Sequence, residues 1–369
     1  MSDFKLICFE PLDSLFFREA KPFNAGDGGF LDSQFPPPAQ TLSGAIRGAM
    51  GDAVGIDWRD TDAVKALVGA PGDDPTPLAF AGPYVFKNKQ RIFPVPLHLL
   101  HNAKTNAWQH LLPSDSTYST DRGECRLPEP YKSRESDTAD KSRESDTADK
   151  SRESAKPVDA GWLESNQMHA VLSGGLPTAL LPAREIFLPE ARVGIGRDNV
   201  RGVVNDSQLY FTRHVRLAAD ITLGMALSGG HAPNGASVRL GGEGRLARMT
   251  VADMPAALAK PTLKGKPKGL ILILLTHGDF NGATAPDWSA LPVRLNYVSA
   301  CIGKAVREGG WDYANRKPKP LKSLVPAGSC YFVTVGDGDL AAVINALHGM
   351  HIGQRTKFGY GEIAVGLWT

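Results

Sequence analysis

Near its end the chain reads His351-Ile352-Gly353-Gln354-Arg355-Thr356-Lys357-Phe358-Gly359-Tyr360-Gly361, with three glycines, two cations and two aromatic residues in eleven positions. Glycine permits positive φ and close approach of backbone N–H groups to a ligand. Successive N–H groups in such a turn form an anion-binding nest. Arg355 and Lys357 add positive charge, and Phe358 and Tyr360 offer flat faces to bases. The chemistry is that of a site for a sugar-phosphate chain, with Gly353, Gln354, Arg355, Thr356, Lys357, Phe358, Gly359 and Gly361 as candidate contacts.

Two further groups carry related chemistry. Arg18, Lys21 and Arg47 flank a glycine- and proline-rich stretch, and Arg47 is predicted on a helix whose N-terminus faces phosphate. Farther on, Ala191-Arg192-Val193-Gly194-Ile195-Gly196-Arg197-Asp198-Asn199-Val200-Arg201-Gly202 places Arg192, Arg197 and Arg201 among glycines that loosen the backbone. Arginines in that setting bind phosphate or stack on bases. Gly194-x-Gly196 lacks the third glycine of a dinucleotide fingerprint, which excludes that reading. A loop of lysines and prolines, 260–268, reads as solvated, as an electrostatic supplement or as a subunit contact.

Nine histidines invite a search for acid–base chemistry. His348 and His351 flank the glycine loop and His214 lies in the arginine-rich segment. No H-E-x-x-H spacing, aspartate-rich metal motif, P-loop or G-x-S-x-G occurs, so neither a catalytic residue nor a metal or cofactor site is assigned. The four cysteines, at 8, 125, 301 and 330, form no C-x-x-C pair. Cys8 and Cys330 sit in apolar runs that predict buried thiols.

The chain has 369 residues, 42% of them hydrophobic and 22% charged, with a net charge of +2. That length accommodates two domains. The charge is unevenly placed. Residues 184–250 hold nine arginines and no lysine against six acids, and residues 260–322 hold eleven cations against four acids. Such clustering suits one basic face. No signal peptide is visible, and the apolar run 269–275 is too short to span a bilayer. A soluble cytoplasmic protein without membrane contact is expected.

The elements that must position these residues follow from pattern. Strands are predicted at 4–10, 78–86, 91–96, 186–188, 209–217, 221–227, 238–250, 270–276, 330–335 and 362–368. The pair around Lys87-Asn88-Lys89-Gln90 reads as a hairpin. Helices are predicted from Thr41 or Ser43 as cap to Met50, at 296–308 and at 339–348. Mixed strands and helices with several hairpins argue an α+β class. Residues 132–154 repeat Lys-Ser-Arg-Glu-Ser-Asp-Thr-Ala-Asp with a period of nine. They contain no Leu, Ile, Val or aromatic residue, and are expected to form a mobile insertion.

The glycine-rich tail resembles the C-terminal loop of the RAMP superfamily of CRISPR RNA-binding proteins. Other segments sharpen the likeness: Pro11-Leu12-Asp13-Ser14-Leu15-Phe16-Phe17-Arg18, then Lys21-Pro22-Phe23, Phe35-Pro36-Pro37-Pro38 and Thr41-Leu42-Ser43-Gly44-Ala45-Ile46-Arg47. With Leu240-Gly241-Gly242-Glu243-Gly244-Arg245 they are similar, in that order, to subunit three of the Cmr-type (type III-B) CRISPR effector. The resemblance implies tandem ferredoxin-like (RRM-like) domains, a β-hairpin thumb around Arg192–Arg201 and the glycine-rich loop. The expected division is an N-terminal region 1–131, a disordered insertion 132–156 and a C-terminal region 157–369.

What the resemblance implies for function is a non-catalytic subunit. It would bind the 5′ handle of crRNA and dock the large polymerase/cyclase-like subunit and the first backbone RAMP subunit, with target RNA nearby. The alternative is a metal-independent endoribonuclease that processes guide-RNA precursors with His348, His351 or His214. Because the repeat has nothing to pack, deleting residues 132–154 is expected to leave the thermal midpoint and RNA affinity unchanged. Closing a loop of half the length changes stability by only about 0.6 kcal/mol. A midpoint lowered by several degrees in the shortened chain would contradict this.

Overall fold

The computed structural model describes residues 3–20, 30–70, 72, 74–120, 123–131, 155–158, 160–197, 201, 204–263, 265–312, 316–336 and 338–369. The repeat, Lys21 and the tip of the arginine-rich segment lie outside this set. The class is α+β, with strand outweighing helix.

The larger sheet has eight strands in the order Leu181–Pro182, Gly161–Glu164, Gln90–Pro94, Ala79–Lys87, Ile221–Ser228, Lys5–Pro11, Leu246–Asp253 and Ser237–Arg239. All its pairings are antiparallel. Lys5–Pro11 is central because it alternates little and is apolar enough to be covered on both faces. The predicted hairpin forms, with Asn88 and Lys89 at φ 49 and 65° in its two-residue turn, the left-handed pair that such a turn requires. Helix α1, Ala39–Ala53, sets Leu42, Ile46 and Met50 one turn apart and buries all three in the core of this sheet. It begins two residues before the expected cap, after Pro38. Ser43 bonds back to the Gln40 carbonyl instead of capping. Helix α2, Thr61–Val68, is capped by Asp60, whose side chain accepts from the Asp62 and Ala63 amides.

The smaller sheet orders Asn296–Cys301, Cys330–Thr334, Gly269–Leu274 and Ile363–Trp368, again antiparallel. The helix expected at 296–308 is instead two strands, Asn296–Cys301 and Val306–Glu308. Pairing with Cys330–Thr334 buries alternate residues, Ser299 and Cys301, and this tertiary pairing overrides local helix propensity. Helix α3, Ser165–Leu172, links the two sheets. Met168, Val171 and Leu172 share one core with Phe93 and Leu163 of the larger sheet and with Ile271, Phe332 and Trp368 of the smaller. Helix α4, Leu340–Leu347, packs on the other face of the smaller sheet, with Asp339 as its cap. Strands therefore enter the larger sheet from both sides of the repeat. The expected division into 1–131 and 157–369 does not coincide with the sheets. Cys8 is half-buried rather than buried; Cys301 and Cys330 are buried.

The described residues also form two long hairpins. Phe187–Arg197 pairs with Val204–Leu217, shifting register between Ile195 and Arg197, and Phe30–Asp32 adds in parallel. Ala107–Thr120 pairs with Gly123–Pro130, a hairpin whose Ser/Thr-rich strands and prolines hide the β pattern in sequence.

A buried ion pair joins the sheets. Arg91 donates from Nη1 and Nη2 to the two oxygens of Glu362, both at 2.8 Å. Its guanidinium lies 3.9 Å from the Tyr84 ring centroid and 4.8 Å from that of Phe93. Burial alone would raise the Glu362 carboxyl, but Arg91 outweighs it and holds the group below the usual value. A depressed carboxylate stabilises the fold fully above its unfolded pKa and loses that contribution as pH falls through its folded one. Arg91→Ala is expected to cost roughly 3–5 kcal/mol at neutral pH, because it strands a buried carboxylate. The deficit relative to the unaltered chain should shrink on acidification below the ordinary glutamate range. Denaturant titrations at neutral and acidic pH measure both; an equal deficit at each would refute the linkage.

Candidate RNA-binding site

The tail loop divides into an outward and an inward side. Gly353, Gln354 and Lys357 are exposed and Thr356 is half-buried, whereas Arg355, Phe358, Gly359, Tyr360 and Gly361 are buried. Lys357 Nζ bonds Thr76 at 2.7 Å and approaches Asp74 at 3.4 Å.

The inward side corrects two expectations. Arg355 does not reach solvent: its side chain is 3% exposed, and it donates from Nε to Asp279 and from Nη1 to Glu308, each at 2.6 Å. Its guanidinium sits 4.1 Å from the Tyr360 centroid, and the Tyr360 hydroxyl donates to Glu308. Burial would lower Arg355, yet Tyr360, Glu308 and Asp279 keep it firmly charged. Phe358 and Tyr360 offer no face to a base: both are buried, Phe358 parallel to Phe80 at 6.1 Å between centroids and Tyr360 against the Arg355 guanidinium.

The expected nest is likewise turned inward. The Gln354 amide donates to Asp279 O, Phe358 to Arg355 O, Gly359 to Thr356 O and Gly361 to His277 O. The glycines serve close packing. Gly359 has φ 93°, and a Cβ there would strike the Gly82 carbonyl oxygen. Beside it the Phe80 amide donates to Lys357 O at 2.7 Å. The loop is thus a wedge into the larger sheet, with only its outer edge left for a ligand.

Arg47 is also committed elsewhere. Its Nε donates to Val68 O at 2.6 Å and its Nη2 to Gly69 O and Ala70 O at 2.8 Å, satisfying carbonyls at the C-terminal end of α2. Mid-helix on α1, it is not at an N-terminus. Arg18 is exposed and lines a groove of about 1700 Å³ between α1, residues 233–246 and residues 307–321. Among the described residues, Arg18, Arg47 and Arg355 do not share an open surface, because Arg47 and Arg355 are bonded inward; Lys21 lies outside the described residues.

Arg192 and Arg197 lie on the first strand of the hairpin 187–217, which runs through Gly194 to Arg197 with its register shift at Gly196, and Arg201 lies beyond that strand. Arg201 is exposed, and the Arg197 side chain lies outside the described set. At the root of this hairpin the chain assembles a cluster that sequence reasoning missed. Arg192 donates from Nε to Glu190 at 2.8 Å and from Nη2 to Asp13 at 2.7 Å. Arg216 donates from Nε to Glu190 at 2.5 Å and from Nη2 to Asp13 at 2.7 Å. Arg245 donates from Nη1 to Asp13 at 3.1 Å, and its buried Nε has no partner among the described residues. Cross-strand register places Glu190 opposite His214, Leu188 opposite Arg216 and Arg192 opposite Thr212, so these side chains share one face. Asp13 arrives because Leu15 and Val215 exchange two backbone bonds at 2.8 Å. Arg245 arrives through the turn at Gly241, whose φ of 82° lets it lie against the Phe16 carbonyl. Period-two alternation in 187–217 was the signal for this face; nothing local pointed to Asp13.

The three candidate histidines are occupied or enclosed. His214 is buried, its Nδ1 lies 3.2 Å from Ser14 Oγ, and burial together with Arg245 and Arg192 lowers it to about 4. His348 meets Leu258 O at Nε2 and accepts from the Val365 amide at Nδ1. His351 is lowered by burial, and its Nε2 has no partner among the described residues. Among the described residues no cluster of His, Cys, Asp or Glu forms a metal site, and no helix is long and apolar enough to cross a membrane.

The wedge sets a prediction. Gly359→Val combines an unfavourable positive φ with a backbone clash, and is expected to destabilise by about 3 kcal/mol or more. Arg355→Ala is also expected to destabilise, by roughly 3–5 kcal/mol, whereas Lys357→Ala should leave the thermal midpoint within a degree or two. Unfolding of the three variants in parallel checks this; a stable Arg355→Ala would restore Arg355 as a surface residue open to RNA.

Comparison with known proteins agrees with the sequence resemblance. The chain is similar to a chain of a type III-B Cmr-beta complex bound to cognate target RNA and AMPPnP, at 14% identity and TM-score 0.48, covering 89% of this chain and 86% of that one. It is also similar to a chain of a Csm1–Csm4 cassette with AMPPNP, at 12% identity and TM-score 0.36, covering 91% and 88%. A chain of the Csm3–Csm4 subcomplex of a type III-A CRISPR-Cas interference complex matches at 12% identity and TM-score 0.35, covering 89% and 92%. No curated protein matches. The family model of a CRISPR-associated protein, Cas_Cmr3, matches residues 7–368, nearly the whole length, and the chain belongs to that family.

Proposed function

We propose that this chain is a non-catalytic guide-RNA-binding subunit of a type III-B CRISPR effector complex. In this reading it holds the 5′ handle of crRNA, docks the large polymerase/cyclase-like subunit and the first backbone RAMP subunit, and lies near target RNA. The observation that carries the reading is the long hairpin 187–217 with its arginine-bearing face, read as the thumb. Gln354, Thr356 and Lys357 on the outer edge of the tail loop, with Arg18 in the groove, supply further contacts. Arg197 and Arg201 toward the hairpin tip extend the track.

Strand order supports tandem ferredoxin-like units. In the larger sheet Ala79–Lys87, Ile221–Ser228, Lys5–Pro11 and Leu246–Asp253 are successive neighbours. In the smaller the run is Asn296–Cys301, Cys330–Thr334, Gly269–Leu274 and Ile363–Trp368. Both read second, third, first, fourth along the chain. Helix α1 joins the first and second strands of one unit, and α4 joins the third and fourth of the other, as in a split β-α-β arrangement.

The endoribonuclease alternative needs a histidine within reach of the reacting groups, whereas His214 is buried, His348 is hydrogen-bonded at both ring nitrogens and the Nε2 of His351 is enclosed. Incubating the full chain with a repeat-containing precursor RNA in EDTA separates the readings. The expected result is a mobility shift with intact RNA, weakening as salt rises because phosphate contacts release counterions. Cleavage would favour the alternative, and an absence of any shift would remove RNA binding.

A further inference from the structure

The cluster at the hairpin root has more cation than its own cohesion uses. Three guanidiniums meet two carboxylates, and each arginine keeps donors that the described residues leave unbound: Nη1 of Arg192, Nη1 of Arg216, and Nε and Nη2 of Arg245. Their side chains are 31, 45 and 20% exposed, so solvent reaches all three. The carboxylates are placed to orient them. Glu190 accepts on the Nε side of both Arg192 and Arg216, while Asp13 receives all three arginines from the first loop of the chain. Two acids thereby fix the planes of three long side chains that come from three separate segments.

An unrestrained arginine surrenders rotamer freedom when it grips a phosphate, and a guanidinium already held in place does not. We propose that Asp13 and Glu190 are positioning residues for RNA: they hold Arg192, Arg216 and Arg245 as one preformed clamp for a phosphodiester at the root of the hairpin. The clamp rests on the reading of this chain as an RNA-binding subunit and adds Arg216 and Arg245 to its RNA-facing residues. It also yields an inverted electrostatic effect. Removing a negative charge beside an RNA site ordinarily strengthens binding; here removing Asp13 weakens it.

The test is a fluorescence-anisotropy titration of the full chain with a labelled handle oligoribonucleotide at several salt concentrations, with thermal unfolding recorded for each variant. The pair Arg216→Ala and Arg245→Ala is expected to lower affinity. It should also flatten log K against log salt by about 0.7 for each single-strand phosphate that is no longer neutralised. Asp13→Asn is expected to weaken binding by roughly three- to tenfold, the scale of ordering side chains on binding. Tighter binding by Asp13→Asn would mean that the acids merely neutralise, and would overturn the proposal. So would an unchanged affinity and salt slope in the arginine pair. If Asp13→Asn does not fold, Arg216→Lys decides: it keeps the charge but loses the fork, so weaker binding with a retained slope supports the clamp and unchanged affinity overturns it. Failure of the unaltered chain to bind RNA at all would overturn the RNA-binding reading and the clamp with it, whereas binding that every variant leaves intact overturns the clamp alone.

Discussion

Charge buried between the two sheets is the constraint on which the rest of this structure depends. Arg91 from the larger sheet closes on Glu362 at the start of the last strand. One loop away, Arg355 closes on Asp279 and Glu308. Neither guanidinium is dispensable once buried, because a carboxylate left alone in such a place is far more costly than the pair. Together the two sites fix where the tail loop enters. The positions of Phe358 and Tyr360 in the larger sheet's core follow from that, as does the register in which Ile363–Trp368 joins the smaller sheet.

That arrangement changes what the glycine-rich tail means. Its composition is that of a phosphate nest, and its three glycines do adopt positive φ, at 92, 93 and 73° for Gly353, Gly359 and Gly361. At Gly359 and Gly361 the freedom is spent on backbone-to-backbone contact with Gly82 and Ile352. A loop that must press against a sheet and a loop that must press against a phosphate ask for the same residues. Composition alone therefore does not tell inward from outward, and only Gln354, Thr356 and Lys357 keep an outward side chain. The arginines of the hairpin carry the opposite lesson. Arg192 and Arg216 sit in regularly paired stretches of strand, where alternation assigns them to one face, and that rule holds without knowledge of the rest of the fold.

What was legible in the sequence was what local pattern determines. The strands at 5–11, 79–94, 221–228, 269–274, 330–334 and 363–368 followed from apolar runs and from the Asn88-Lys89 turn, and α4 from its period and Asp339. The misreadings came from partners distant in the chain. Asn296–Cys301 is a strand because Cys330–Thr334 lies beside it. Arg47 serves α2 because residues 68–70 end there. Asp13 becomes the centre of an arginine cluster only when Val215 and Gly241 are brought to either side of residues 15 and 16. No window of a dozen residues contains those relations, whereas the order of family-like segments along the chain did carry the family.

The wedge formed by the tail has a consequence for how the protein is made. The larger sheet takes its last strand at Leu246–Asp253, yet Phe358 and Tyr360 fill part of its core, and Arg91 waits for a partner 271 positions away. A chain emerging from the ribosome at roughly 5–20 residues per second therefore carries an unfinished larger sheet until Phe358, Tyr360 and Glu362 appear. During that interval Phe80 lacks its stacking partner and Arg91 its counter-ion. The order of synthesis thus makes the tail loop the closing step for the larger sheet, and the nascent chain holds an open hydrophobic seam until Phe358 and Tyr360 emerge.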